Sequence, residues 1–315
     1  MGPQATRAYH PAVPSRPLDR RIILAFAATV LIAGSNIVAV RFSNRELEPF
    51  WGAAIRFTAG SAILWVLVAS GRERVPAGRA LAGPVLYGLL SFLVAYAFFY
   101  WGSQEVPAGL GGTIMASVPL ITVLLAAVHR LESLRARAVA GAVVAMAGVA
   151  VMSWSALRGD VRVVSVLAIV VAAAAAAESG IVLQLLRGAH PVVTNAVGMS
   201  AGALGLVVLS FVVGETWAAP RSPSVRAAVL YLAVASPILF MLLVYVIRRW
   251  SASGASYQFV LFPIVSVIGG SLLLGEDITS SFLLGAPLVL AGVYIGALSG
   301  IRSRGMSRSA EPVRR

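Results

Sequence analysis

The chain has no cysteine, which excludes disulfides, thiolate metal sites and thiol nucleophiles. It has no lysine either, so all 25 basic residues are arginine. A Walker A loop needs a lysine to reach the nucleotide phosphates, so the chain holds no ATP motor of that type. Charge is scarce, at 12% of residues against 59% hydrophobic, where a soluble domain carries roughly 25% charged residues. The solvent of this protein is therefore mostly lipid. His10, His129 and His190 are scattered and suggest no metal cluster, and no motif calls for a cofactor. A net charge of +13 would suggest nucleic-acid binding in a soluble protein. Here the arginines lie between apolar segments and read as orientation signals, so no nucleic-acid partner is expected.

A bilayer core of about 30 Å is crossed by about 20 apolar residues at 1.5 Å rise each. Ten segments meet or approach that length, at about 22–41, 50–70, 81–102, 106–128, 136–154, 163–186, 191–214, 225–247, 252–275 and 279–300. Connections between them are short and leave no room for an extramembrane domain. Residues 1–21, with Pro3, Pro11, Pro14 and Pro17, read as a disordered tail too polar for a secretory signal. Residues 301–315 read as a second tail. With both tails cytoplasmic, the tails and inner connections hold eighteen arginines. The outer connections then hold six, Arg41, Arg45, Arg158, Arg162, Arg221 and Arg226, and Arg56 lies inside a helix. The positive-inside rule selects cytoplasmic termini for a multi-pass protein of the cell's inner (plasma) membrane.

One stretch is written twice. The segment beginning at Val106 matches the segment beginning at Trp250 under a constant offset of 144 residues. Ala108 meets Ala252, Pro119 meets Pro263, Glu132 meets Glu276, Gly141 meets Gly285 and Gly148 meets Gly292. Each repeat has five spans, an odd number, so the second enters the membrane from the opposite side. The expected fold class is an all-α polytopic membrane protein, ten transmembrane helices as two inverted five-helix repeats (residues 22–154 and 163–300). Such repeats give two similar minima, open to either side, which is the basis of alternating access.

On these residues the chain resembles the drug/metabolite transporter superfamily, specifically its EamA branch. The matching stretches are AGSNIVAVR in the first helix, AAIRFTAG in the second and ASVPLITVLLAAVHRLE in the fourth, with FPIVSVIGGSLLLGEDI and LLGAPLVLAGVYIG in the last two. The first copy departs in carrying His129, Arg130 and Leu131 where the second has Leu273, Leu274 and Gly275. The resemblance implies a secondary transporter, often an exporter of amino acids or other small metabolites. It also implies a central cavity lined by the first four helices of each repeat.

Glu178, in the sixth helix after the run Ala172–Ala177, lies about 12 Å from that helix's inner end. A carboxylate at that depth faces the protein interior, is protonated or meets water. It reads as a proton carrier or a receptor for a cationic substrate group, against a neutral glutamic acid that only packs. Arg56 lies about 9 Å below the outer surface, leaving a vertical gap of about 15 Å to Glu178. No direct salt bridge is expected, and Arg56 either snorkels outward or binds substrate. Thr29, Ser35 and Asn36 form a polar stripe on the first helix, weighed equally as interhelical hydrogen bonding and cavity lining. Tyr257 and Gln258 near Pro263, and Tyr96 and Tyr100 in the third helix, are further candidates, with interfacial anchoring as the alternative for the tyrosines.

Pro119 and Pro263 remove the hydrogen bonds to the carbonyls of Met115 and Phe259 and predict kinked, cavity-lining helices. Glu132 and Glu276 read as boundary residues. Gly292, Gly296 and Gly300, and Gly198 and Gly202, are expected to let helices approach closely, within one chain rather than across a homodimer. The leading function is a transporter of a small polar or amphipathic molecule, outward, driven by a gradient such as protons. A flippase for a lipid-linked substrate is the alternative. An enzyme is disfavoured because Glu178 has no histidine, aspartate or cysteine companion within the membrane segments.

Overall fold

Asp19 fixes where the first helix begins: its side chain accepts a hydrogen bond from the Arg21 N–H at 3.4 Å, and α1 runs Arg20–Ser43. That is two residues earlier than the apolar run alone implies, because the cap and not the hydropathy sets the start. The computed structural model describes residues 19–106, 108–152, 154, 162–186, 190–274 and 278–298. Most of the two tails, Arg158, Arg187, Glu276 and Gly300 lie outside the described residues. The remaining spans are α2 (Pro49–Ser70), α3 (Gly78–Gly102), α4 (Ala108–Met115 and Val118–Val128) and α5 (Ala136–Met152). The second half has α6 (Val163–Leu185), α7 (Pro191–Val212), α8 (Pro223–Arg249), α9 (Ala252–Ser256 and Gln258–Leu274) and α10 (Ser280–Val293, continued by a π turn Tyr294–Leu298). Among the described residues, nine of these are long and apolar enough to cross a membrane, and α5 is a shorter apolar helix. The end of the bundle where α1 begins is called proximal, and the end carrying the α1–α2 connection distal.

The helices pair by a rule. α1 packs against α8 and α9, while α6 packs against α3 and α4; α2 meets α7, and α5 meets α10. Adding five to both members turns α1–α8 and α1–α9 into α6–α3 and α6–α4 and maps α2–α7 and α5–α10 onto themselves, as a two-fold relation between the repeats requires. Large apolar side chains such as Leu24, Leu31, Val66, Phe211 and Leu272 point outward, which suits lipid and not water.

Within lipid the backbone must satisfy its own hydrogen bonds, and α1, α2, α6 and α7 are uninterrupted helix. The irregularities gather elsewhere. α3 carries a π turn at Leu89–Val94, α4 breaks at Ala116–Ser117, α8 holds Pro237, and α9 breaks at Tyr257. Pro119 is not a mid-helix kink: it opens the second piece of α4, at a first-turn position whose N–H has no intrahelical partner anyway. Pro263 does sit inside its helix, six residues past the break. Four of the irregular helices are two pairs related by the repeat, α3 with α8 and α4 with α9; α10, with Pro287 inside it and a π turn at its end, stands apart, since its repeat mate α5 is regular.

The glycines do the close packing inside the chain. A Cβ on Gly292 would fall 2.4 Å from the Ala145 nitrogen and 2.6 Å from the Gly141 carbonyl oxygen, and one on Gly141 would fall 2.3 Å from the Gly296 nitrogen. The ridge Gly292–Gly296 is therefore consumed by the α5–α10 contact. Gly198 and Gly202 likewise receive Tyr87 and Phe92 of α3.

At the distal end two carboxylates serve each other's helices. Gly214, at φ +77, reverses the chain after α7 in a conformation open to glycine. Glu215 thereby reaches the start of α2, where it accepts hydrogen bonds from the N–H groups of Phe50 (3.0 Å) and Trp51 (2.7 Å). Glu48, the local cap residue, makes no side-chain capping bond, so a remote glutamate does that work. In return Glu46 accepts from the N–H groups of Arg221 (2.6 Å) and Ser222 (3.1 Å) ahead of α8. Trp51 stacks on Trp217 with ring centroids 4.8 Å apart and donates its indole N–H to the Ala218 carbonyl. The symmetry-related junction at the proximal end is a half-exposed contact of His190 with Glu73 at 3.4 Å.

Replacing Gly292 with Leu should separate α5 from α10 and cost about 1–3 kcal/mol or more through overpacking. Thermal unfolding in detergent reads this directly, with Gly112→Ala, which meets nothing within 4 Å, as the tolerated control. The backbone hydrogen bond from Arg221, aided by Ser222, holds the Glu46 carboxyl below its ordinary value of 4.5. A depressed folded value means the contribution is complete above that ordinary value and is lost as pH falls through the lower one. Apparent melting temperature should therefore fall as pH drops below the ordinary carboxylate range, and Glu46→Gln should flatten that fall.

Candidate substrate site

Ser236 precedes Pro237 in α8, and the proline leaves the Ala233 carbonyl without its helical donor. α2 comes close here: a Cβ on Gly60 would lie 3.2 Å from the Pro237 ring and 3.5 Å from that carbonyl. One turn before Gly60, Arg56 reaches across and donates from Nε to the Ser236 hydroxyl at 2.6 Å. Its Nη2 donates to the Tyr96 hydroxyl of α3 at 3.3 Å. The guanidinium carbon also lies 4.8 Å from the Phe57 ring centroid and 5.5 Å from that of Tyr96. Phe57 is itself held by Phe92, Tyr96 and Phe240.

Arg56 is 3% exposed, so it does not snorkel to the surface. No carboxylate of the described residues pairs with it. Leaving a buried charge unpaired costs several kcal/mol. A hydrogen bond to a charged group returns about 1.5–3 kcal/mol and a desolvated cation–π contact about 2. Neutral partners thus hold the charge in place but do not cancel it. Beside it lies a cavity of about 10 Å³, lined by Val40, Ser43, Asn44, Gly52, Ala53, Arg56, Tyr100 and Leu232, which is space for one water.

Asn36 lies one turn below Val40 and two below Ser43, on that same face of α1. It is 4% exposed, and both Oδ1 and Nδ2 are buried without a partner. An unpaired buried amide costs about 1–3 kcal/mol, so its retention marks a place where something else is expected to bind. Thr29, by contrast, is spent on the Phe26 carbonyl of its own helix, and Ser35 on the carbonyls of Leu31 and Ile32 and on the Tyr231 hydroxyl.

Glu178 and Arg56 do not meet, as their spacing predicts. Glu178 instead contacts His129 Nε2 at 3.3 Å, with side chains 30% and 34% exposed. The histidine comes from outside the membrane segments: His129 sits one residue beyond the end of α4, and the fold brings it to Glu178. His129 Nδ1 lies 2.9 Å from the Leu125 carbonyl, which can only accept, so Nδ1 carries a hydrogen.

Tyr257 is buried with its hydroxyl donated to the Ala138 carbonyl, and it fills the space above Gly296. Its hydroxyl is thus spent at the α5–α10 joint and does not reach Arg56. Gln258 is buried with an unpaired Oε1 and is not in contact with the Arg56 cluster. Of the sequence candidates, then, the fold gathers Arg56, Tyr96 and Tyr100 and sets Asn36 on the adjoining face. Ser236 was missed, and its signal is a serine directly before a proline in mid-span.

Ten apolar helices in two inverted repeats, with a polar cluster buried inside the bundle, define a membrane transporter. The sequence model of the EamA-like transporter family matches residues 20–154 and 163–297, one copy per repeat, and the chain belongs to that family. An Escherichia coli K12 protein described as an uncharacterized inner membrane transporter, YedA, is 26% identical over 87% of this chain and 90% of its own. A probable amino-acid metabolite efflux pump of Salmonella typhimurium is 26% identical over 89% of this chain and 95% of its own. A solved crystal structure superposes with a TM-score of 0.75 at 19% identity, covering 88% of this chain and 98% of that one, which shows the shared fold.

Ser236→Ala should leave Arg56 Nε unpaired and cost about 1–3 kcal/mol, read as a lower melting temperature in detergent. Glu132→Gln, at the proximal boundary, should shift it far less.

Proposed function

We propose that this protein is a secondary exporter of small amphipathic metabolites, amino acids and their relatives, working by alternating access and driven by protons. The observation that carries the reading is the repeat-related pairing of helices around a buried polar cluster. It gives two related arrangements that present one site to either side. The irregular quartet α3, α4, α8 and α9 supports it, since helices whose hydrogen-bond ladders are already broken bend at lower cost. The named activity of the Salmonella relative supports export of amino-acid metabolites. The arginine excess in the tails and inner connections supports cytoplasmic termini. Arg72 and Arg130 there even occupy left-handed positions closing α2 and α4, where glycine is the usual residue.

Proton coupling rests on Glu178 and His129, two titratable side chains in contact at 3.3 Å and each about a third exposed. A flippase reading draws on a lateral recess of about 430 Å³ between α1 and α8, lined by Ile32, Leu230, Tyr231, Val234, Ala235 and Ile238. Comparing metabolites released by cells with and without the protein identifies the cargo, and accumulation of a lipid-linked intermediate instead would favour the flippase. In proteoliposomes, Glu178→Gln keeps hydrogen bonding but cannot release a proton. It should lower pH-gradient-driven flux at least about tenfold while substrate counterflow persists. Undiminished pH-driven flux removes Glu178 as the proton carrier.

A further inference from the structure

The Arg56 cavity has a chemistry that the export reading leaves unspecified. Resting on that reading, we infer that Arg56 receives a carboxylate of the transported molecule, so that the cargo is a monoanionic or zwitterionic organic acid. A guanidinium offers five N–H donors. Ser236 takes the one on Nε and Tyr96 one on Nη2, which leaves the hydrogens of Nη1 and one on Nη2 without a protein acceptor. Those remaining donors form the planar fork that matches a carboxylate's two oxygens.

Size and charge narrow the ligand. The cavity wall beside Arg56 is mostly apolar, with Val40, Ala53 and Leu232, and its polar members Ser43 and Asn44 are uncharged. The chain has no lysine, and no second arginine lines the cavity. One cation in a low-dielectric pocket neutralises one negative charge, so a carboxylate fits where a phosphate dianion would remain under-compensated. Asn36, buried with its amide oxygen and nitrogen both unpaired, adds a donor and an acceptor on the same face of α1 for a polar group next to the acid. In this conformation the cavity holds about 10 Å³, room for a water and not for cargo. The carboxylate takes its place when the distal helices part. Ser236 and Tyr96 are positioning residues that aim the fork.

The test uses purified full-length protein in detergent and acid–amide pairs that differ only in the carboxylate: leucine with leucinamide, and phenylalanine with phenylalaninamide. At least one acid should raise the melting temperature of the wild-type protein, and its amide should not. Arg56→Lys keeps the charge but loses the fork, and should weaken apparent affinity for that acid about tenfold; Arg56→Gln should abolish the shift. Should Arg56→Gln fail to fold, Tyr96→Phe keeps the guanidinium and frees its aim, with an expected three- to tenfold loss for the acid. Equal shifts by acid and amide, no shift by either, an unaltered Arg56→Lys response, or inorganic phosphate matching the acids would each overturn the inference. Protein-dependent release of a metabolite without an acidic group would overturn it too while leaving export intact. If cells release no metabolite through the protein, export falls, and the melting shifts still decide the carboxylate site.

Discussion

The hydrocarbon core of a bilayer offers no hydrogen bonds, and that constraint orders everything else in this molecule. Every backbone N–H and C=O at depth must be satisfied by the chain. Straight helices are the default solution, and each departure from them needs shelter. The departures are therefore informative. The π turn of α3, the break of α4, Pro237 of α8 and the break of α9 all fall in helices that the repeat relates in pairs. Regular helices supply a frame, and irregular ones supply the parts that deform.

The same constraint makes Arg56 conspicuous. Its charge is carried about 10 Å along α2 from the distal end, past the depth where the side chain reaches water. It is held there by a hydroxyl on each of two irregular helices, Ser236 of α8 and Tyr96 of α3. Movement of either helix redirects the guanidinium, so the group that would recognise a substrate is coupled to the helices that would move. The Glu178–His129 pair stands toward the other end of the bundle, a third exposed. The buried guanidinium and this pair are thus separated along the helix axes.

The two ends are held by different groups. The distal junction has four charge-assisted backbone hydrogen bonds and a stacked tryptophan pair, and the two that Glu215 accepts at the start of α2 each contribute about 1 kcal/mol as a helix cap does. Among the described residues its repeat-related counterpart shows an imidazole–carboxylate contact between half-exposed side chains, of a kind that contributes about 0–1 kcal/mol. The proximal end is tied elsewhere, by Gln184 accepting from the Ala252 N–H at 2.6 Å and Arg248 donating to the Leu186 carbonyl at 3.0 Å. The repeats share an architecture but not these junction residues. The sequence differences decide which groups tie each end.

Much of this was legible from residues alone. Hydropathy located ten spans, because a fixed bilayer thickness fixes helix length, and the offset between Pro119 and Pro263 exposed the duplication. Parity then fixed the inversion. The spacing of Arg56 and Glu178 along their helices correctly kept them apart. What the sequence could not contain was lateral arrangement, since apolar helices of similar length do not specify which faces meet. Only packing brought Ser236 to Arg56, returned His129 to Glu178, spent Tyr257 on the Ala138 carbonyl and sent Glu215 to cap a helix more than 150 residues away in the chain. One-dimensional spacing determines depth in a membrane; neighbours at that depth are decided by which small residues let two helices touch.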